Sequence, residues 1–370
     1  MEYNLMEQYW LWLSAVPGMS PRRFYALLNA CGDARALWDD PSCARDVVDE
    51  KFCASLQAAR SERFFYDVFA RLEKAGIAAL PMISDRYPAR LRSIVDAPPT
   101  LYVRGNPDLN DERMFAIVGT RAPSYDGKKA AKEFAQVLAQ NGVTIVSGLA
   151  RGVDTCAHTG CLEGGGRTVA VLGSGVNQLY PPENEPLARR IIEEGGSIVS
   201  EMQPDDGPQR WSFPARNRII SGLTPGVLVV EGRKTSGALI TAEDALDQSR
   251  DVFAIPGSIY SPLSEAPNKL IVDGAHPAIS AWEILDHYRW AQRAEVLPAK
   301  APVIELSDEE RAIVLPLTEQ ALSFEEIAQA TQILPSKLNS YLTMLELRGI
   351  IVKAPGGMYR AYLDAPIGEN

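Results

Sequence analysis

Histidine is scarce in this chain: three occur among 370 residues. The five cysteines, Cys31, Cys43, Cys53, Cys156 and Cys161, include no Cys-x-x-Cys pair. No structural zinc site, and no metal site of any other kind, is therefore expected. The cysteines read as reduced thiols that serve mostly as small core residues. No run approaches the ~20 apolar residues of a membrane span. The first 33 residues hold no basic segment ahead of an apolar one, so no signal peptide is expected either. A net charge of −10 argues against a broad polyanion-binding face but leaves room for a local basic pocket. The charge is uneven, because residues 301–370 hold five basic against ten acidic groups and so carry half the surplus.

What is present suits two or three globular domains, with 46 % hydrophobic and 23 % charged residues. Residues 1–78 read as a helical domain. Apolar residues from Leu5 to Ala15 fall at helical spacing, Val16-Pro17-Gly18 breaks the run, and Ser20 with Pro21 opens a helix at Arg22–Ala30. Helix, glycine turn, helix is the form of a helix-hairpin-helix or SAM-like unit, and equally of a plain bundle. Residues 79–112 form a proline-rich bridge in which Pro98-Pro99 bars helix and Leu101–Arg104 suits a short edge strand.

From Phe115 the texture changes to short apolar strands alternating with amphipathic helices. Strands are expected at Phe115–Val118, Val143–Val146, Thr168–Leu172, Ser197–Ser200, Val227–Val230 and Val252–Ile255. Helices are expected near Gly127–Gln140, Asp154–Glu163, Glu185–Glu193, Asn217–Leu223 and Ser236–Ser249. Nearly continuous apolar strands mean that both sheet faces are covered. The fold class is therefore α/β, a Rossmann-like doubly wound parallel sheet within residues 79–290. Residues 291–304 read as a linker. Beyond them, helices at Ser307–Leu317, Phe324–Ala330 and Leu334–Gly349 precede a hairpin of Ile350–Ala354 and Met358–Tyr362. That is the form of a winged helix over residues 305–365.

Most of these strands end in small polar or glycine-containing loops. They are Gly119-Thr120-Arg121, Ser147-Gly148-Leu149-Ala150-Arg151-Gly152, Gly173-Ser174-Gly175, Glu231 to Gly237 with Lys234 and Ser236, and Pro256-Gly257-Ser258. In a parallel sheet all five fall on the carboxyl edge, where open α/β folds bind ligands. Glycine lets a ligand approach the backbone, hydroxyls and helix N-termini donate hydrogen bonds, and Arg121 and Lys234 add charge, a combination that suits phosphate. The plainer alternative is that each loop is only a tight turn. No Gly-x-x-x-x-Gly-Lys-Ser/Thr occurs, which excludes a P-loop NTPase, and Gln178 stands where a dinucleotide fingerprint wants its third glycine. No cofactor is expected.

A second basic cluster is Phe213-Pro214-Ala215-Arg216-Asn217-Arg218 at a helix start. Arg216 and Arg218 suit bidentate phosphate contacts, or equally ion pairs with Glu201 or Glu231. His158 lies one turn after Asp154 and reads as a satisfied buried histidine, since no third ligand or nucleophile accompanies it.

Taken in order, Ile117 to Arg121, Ser147 to Asp154 with Ala157-His158, Ala170 to Gly175, Tyr180-Pro181, Ser200-Glu201, Phe213 to Leu223, Ser236 to Ala242 and Pro256-Gly257 resemble the DNA-processing protein A (DprA/Smf) family. The blocks run over about residues 87–275, and the flanking helical and winged-helix segments fit its longer members. The resemblance implies a bacterial cytoplasmic protein, not an enzyme. Such a protein binds single-stranded DNA, helps load RecA recombinase in natural transformation, and acts as a homodimer through the Rossmann-like domain. It also implies that Gly119, Thr120 and Arg121 belong to the phosphate pocket, with Lys234 carried over beside them; the carboxyl-edge loops and the basic cluster add Ser147, Gly148, Arg151, Gly173, Ser174, Gly175, Arg216, Asn217, Arg218, Ser236 and Gly237 as further candidates. The winged helix departs from a DNA-reading pattern, since Leu334–Gly349 holds only Lys337 and Arg348 as cations beside Glu346. A partner-binding or regulatory role suits it better. The competing class is a nucleotide-processing enzyme of the phosphoribohydrolase kind. Its glycine-rich motif ending in Thr and Glu is only half matched by Ser236 to Glu243.

Overall fold

Six apolar runs form the centre of a nine-stranded sheet, and three further strands extend it at the sides. A computed structural model describes residues 2–291, 306–348, 350–354 and 357–361. The strands are β1 (Ile77–Pro81), β2 (Thr100–Gly105), β3 (Met114–Val118), β4 (Thr144–Ser147), β5 (Thr168–Val171), β6 (Ser197–Ser200), β7 (Gly226–Val229), β8 (Asp251–Ala254) and β9 (His276–Pro277). Their order is β1-β2-β6-β5-β4-β3-β7-β8-β9. Strands β3 to β9 pair in parallel, while β2 runs antiparallel to both β1 and β6. The sheet is thus mostly parallel. Leu101–Arg104, expected at an edge, lies one strand inside it. Ile77–Pro81 forms the edge instead, and its terminal proline is tolerated there.

The pleat explains the two-sided cover. Ala116, Val118, Val146, Val171 and Val229 face helices 212–222, 237–247 and 265–272. Their neighbours Phe115, Ile117, Ile145 and Leu228 face helices 125–140, 153–163 and 281–287. Helix 212–222 begins five residues before the expected Asn217 start, with Pro214 in its first turn.

Five α-helices precede β1 among the described residues. Trp10, Trp12, Leu13, Phe24, Leu27, Leu37, Phe52 and Leu56 form their core. These helices are fastened to the sheet rather than hung from it. The Trp10 indole donates to the Pro99 carbonyl at 2.7 Å, and the Tyr25 hydroxyl donates to the Ala97 carbonyl at 2.8 Å. Residues 1–292 accordingly form one compact unit. One expectation is overturned here: Cys31 and Cys43 are joined in a disulfide, with Cα atoms 5.5 Å apart. The turn after helix Pro21–Cys31 folds Ala34–Asp39 back and brings the two residues together. Of the rest, Cys161 is buried and Cys53 and Cys156 are half-buried.

The second unit packs helices Asp308–Glu319, Phe324–Thr331 and Pro335–Leu347 against an antiparallel hairpin of β10 (Ile351–Ala354) and β11 (Met358–Ala361), a winged helix. Its core is Ile313, Leu317, Ile327, Leu338, Leu342 and Ile351. Beyond Ala291, the expected linker lies outside the described residues, as do Gly349, the turn at 355–356 and residues 362–365.

Trp12 tests the cohesion of the first unit. It is fully buried, and its indole donates to the Ala59 carbonyl at 2.8 Å, tying the first helix to Glu50–Ala59. Trp12→Ala should cost about 3–5 kcal/mol in urea unfolding. If the helices and sheet fold as one unit, near- and far-ultraviolet signals shift together.

Candidate functional site

The chain lays down β3, winds outward through β4, β5 and β6, then returns to add β7 and β8 on the other side of β3. That reversal leaves a crevice at the carboxyl ends of β3 and β7, the position where open α/β sheets take ligands. A cavity of about 590 Å³ occupies it.

Arg216 forms its floor. The side chain is 5 % exposed; Nη1 donates to the Gly148 carbonyl at 2.8 Å and to the Val171 carbonyl, and Nε donates to Asn217 Oδ1 at 3.3 Å. The guanidinium lies across Gly148, where a Cβ would stand 2.5 Å from Nη2. Only glycine admits that approach. Burial pulls the Arg216 pKa down to about 10, with Asp154 opposing the shift. Burial likewise raises Asp154, against the pull of Arg216.

Asp154 also accepts the N–H groups of Gly148 (3.1 Å) and Ala150 (3.3 Å). The N–H of Leu149 between them donates to His158 Nε2 at 3.3 Å. His158 Nδ1 is 2.7 Å from Thr168 Oγ1, whose own hydroxyl donates to the Ile145 carbonyl, so the imidazole is neutral with its proton on Nδ1. Three successive N–H groups of a loop expected at the phosphate site therefore turn inward. Leu149 adopts φ 56° and Gly152 φ 82° to make this turn. His158 is a satisfied core histidine.

The cavity gathers Gly119, Thr120 and Arg121 from the loop after β3, Arg216 and Asn217 from helix 212–222, and Ser236 and Gly237 at the start of helix 237–247. Gly148 and Arg151 line a smaller cleft beside it, and Arg151 is paired with Glu183. Other candidates are not brought there. Ser147 ends β4, and its hydroxyl donates to the Ile117 carbonyl at 2.7 Å. Gly173, Ser174 and Gly175 grip the segment before helix 212–222, through Ser212 Oγ to the Gly173 carbonyl and Gly175 N–H to the Asp206 carbonyl. The Ser174 hydroxyl donates to the Gln178 carbonyl at 2.6 Å. Arg218 is spent on Glu201 (2.6 Å) and Asp96 (2.8 Å), the structural alternative left open above. Glu231 instead accepts from Ser124 at the start of helix 125–140. Lys234 is exposed but does not line the cavity, and the loop at Pro256 does not reach it.

Three lining residues escaped the reading of individual residues: Arg210, Tyr180 and Phe213. The rings of Tyr180 and Phe213 lie 5.4 Å apart, and the Arg121 guanidinium sits 5.8 Å from the centre of Phe213. Both aromatics fell inside the quoted motifs; no sequence signal singles out Arg210. Neither Arg121 nor Arg210 forms an ion pair among the described residues. Asp154 is the one carboxylate on the cavity wall, and it is committed to the loop. Glu243, which the hydrolase alternative needs, is exposed and off the wall.

Fold and site together define a Rossmann-like α/β domain with a basic crevice, joined in sequence to a winged helix. Known proteins show the same pairing. The family described as DNA recombination-mediator protein A matches residues 79–289, and the DprA winged helix domain matches residues 297–357. Protein Smf of Escherichia coli is 39 % identical over 297 residues, covering 78 % of this chain and 79 % of that protein. DNA processing protein DprA of Streptococcus pneumoniae is 41 % identical over 247 residues, 66 % of this chain and 86 % of that one. An X-ray structure of the pneumococcal protein aligns at TM-score 0.63 and 35 % identity over 77 % of this chain and 98 % of that one. A structure of DNA processing protein A from Helicobacter pylori, described for its single-stranded DNA binding mode, aligns at 0.53 and 28 % identity over 58 % and 95 %. The chain belongs to the DprA/Smf family and is a DNA-processing protein of that kind.

His158 makes the loop pH-sensitive. Burial lowers its folded pKa from 6.5 to about 3. Below pH 6.5 the unfolded chain takes up a proton that the folded chain refuses, so stability falls as pH falls towards 3. The expected loss is about 1.4 kcal/mol per pH unit from this group. Urea melts between pH 6.5 and 5 should show that slope in the wild type and a shallower one in His158→Gln.

Proposed function

We propose that the chain binds single-stranded DNA by its backbone phosphates at the carboxyl-edge cavity and passes the strand to a RecA-type recombinase, as a bacterial cytoplasmic homodimer without catalytic turnover. The observation that carries this reading is the charge balance of the cavity. Three arginines line it, none of them in an ion pair among the described residues, while its single carboxylate is buried and bound to backbone N–H groups. The start of helix 237–247 adds a positive dipole end at Ser236 and Gly237. Tyr180 and Phe213 supply a face on which a base can stack. The family's recombination-mediator description and the Helicobacter relative's DNA-binding mode point the same way. A wall without an available carboxylate or titrating histidine offers no general acid or base for glycosidic hydrolysis.

Arg121 carries the sharpest test. It sits on an exposed loop, so Arg121→Ala should melt like the wild type while losing about 1–3 kcal/mol of single-stranded DNA affinity. Filter binding at two salt concentrations should also show a log–log slope lower by ~0.7, one phosphate's share. Unchanged affinity in a folded variant would remove Arg121 from the site.

The winged helix yields a second expectation. Arg348 is paired with Glu310 at 2.7 Å. In the hairpin register Lys353 stands opposite Tyr359 and Arg360 opposite Val352, so successive pairs put the two cations on opposite faces. Among the described residues these three cations form no row. Deleting residues 305–370 should leave single-stranded DNA affinity within about threefold and the salt slope intact. A flattened slope and a tenfold loss would show that this domain holds the strand.

A further inference from the structure

Two of the chain's three histidines meet at the far side of the sheet, at its β9 edge. Asp251 opens β8, His276 opens β9 and His287 closes helix Ala281–His287. Their ligating atoms all lie within 4.8 Å of one another. His287 Nε2 is 3.2 Å from Asp251 Oδ2, and the two imidazole rings are 4.8 Å apart and tilted by 60°. We propose that Asp251, His276 and His287 form a binding site for a divalent transition metal, zinc by preference, that clasps the sheet's last strand to the helix that follows it.

Chemistry and placement both support this. Two imidazole nitrogens and one carboxylate oxygen are a borderline donor set that suits zinc and leaves a fourth position for water. Zinc–nitrogen and zinc–oxygen bonds of ~2.0–2.2 Å need ligand atoms closer than they now stand, which rotation of the two exposed imidazoles towards the carboxylate supplies. A supporting shell is already built. The Tyr288 hydroxyl donates to Asp251 Oδ2 at 2.7 Å and holds that carboxylate in place. The Phe253 ring lies 5.0 Å from His276 and 5.3 Å from His287, bracketing both imidazoles. Strand β9 has only two residues and pairs with β8 alone. A metal bound to all three residues cross-links β8, β9 and the helix. An ordinary ion pair between His287 and Asp251 explains their approach but leaves His276 without a role, so His276 separates the two accounts.

The test uses the full-length chain stripped with EDTA and titrated with zinc chloride by calorimetry. One zinc per chain is expected. The midpoint of thermal unfolding should rise by about 5 °C at a hundredfold excess over Kd. Cobalt(II) in place of zinc should give visible absorption of a four-coordinate site. His276→Ala and His287→Ala should each abolish the zinc shift and the cobalt band while melting like the metal-free wild type; His276→Gln serves if the alanine variant misfolds. No zinc-dependent shift, a shift that persists in both variants, or saturation only at ~millimolar zinc overturns the proposal.

Discussion

The contact between the Arg216 guanidinium and the bare backbone of Gly148 is the constraint on which the crevice depends. A buried guanidinium must spend its N–H groups on the protein. Arg216 spends them on carbonyls at the ends of β4 and β5 while standing on the helix that leads into β7. One side chain therefore spans the reversal in winding. Asn217, next to it, donates to the Gly237 carbonyl at 3.3 Å and draws in the start of helix 237–247. Asp154 closes the arrangement by holding the Gly148 loop beneath the guanidinium. Even after burial lowers it to about 10, Arg216 remains charged at neutral pH. The cavity floor is positive at neutral pH.

The sheet was legible because a parallel sheet covered on both faces writes itself as unbroken apolar runs, and Phe115–Val118 or Thr168–Val171 can hardly be anything else. Its margins were not. Ile77–Pro81 ends in proline and His276–Pro277 is two residues long, so neither carries a pattern. Within the site, Gly119, Thr120 and Arg121 were legible as one of five carboxyl-edge loops and, through the resemblance, as a pocket motif; that the loop after β3 meets the switch point required the strand order. Arg216 and Arg218 were not separable in sequence. Two positions apart on a helix they diverge by about 200°, and only the fold reveals that Asp96, 122 residues away, stands beside the second. The loop after β4 misled for a related reason. Its glycines signal a turn truthfully, but which way the N–H groups point depends on Asp154 and His158 in the next helix. The Cys31–Cys43 disulfide depends likewise on a fold-back that the eleven intervening residues do not announce.

Charge arithmetic over a whole chain hides such arrangements, and the crevice shows why the sum and the site diverge. Half of the negative surplus lies in residues 301–370, while acids near the crevice are tied up. Glu183 holds Arg151, Glu201 holds Arg218, and Glu231 caps helix 125–140. The first two are ion pairs, and each neutralises a carboxylate that would oppose an anion. What remains uncompensated is Arg121 and Arg210 at the mouth and Arg216 on the floor, a local positive field inside an acidic protein.

That field also separates binding from chemistry. Catalysis on a nucleotide needs a group that changes protonation or attacks, within reach of the reacting atom. The conspicuous candidates are disarmed by the same contacts that shape the crevice: Asp154 is held by two backbone N–H groups, and burial leaves His158 neutral down to about pH 3, with both ring nitrogens bonded. Their work is to fix the Gly148 loop so that Arg216 can lie across it. A site whose carboxylate and neighbouring histidine are consumed in positioning one guanidinium is built to hold an anion rather than to convert it, which fits the strand binding proposed above.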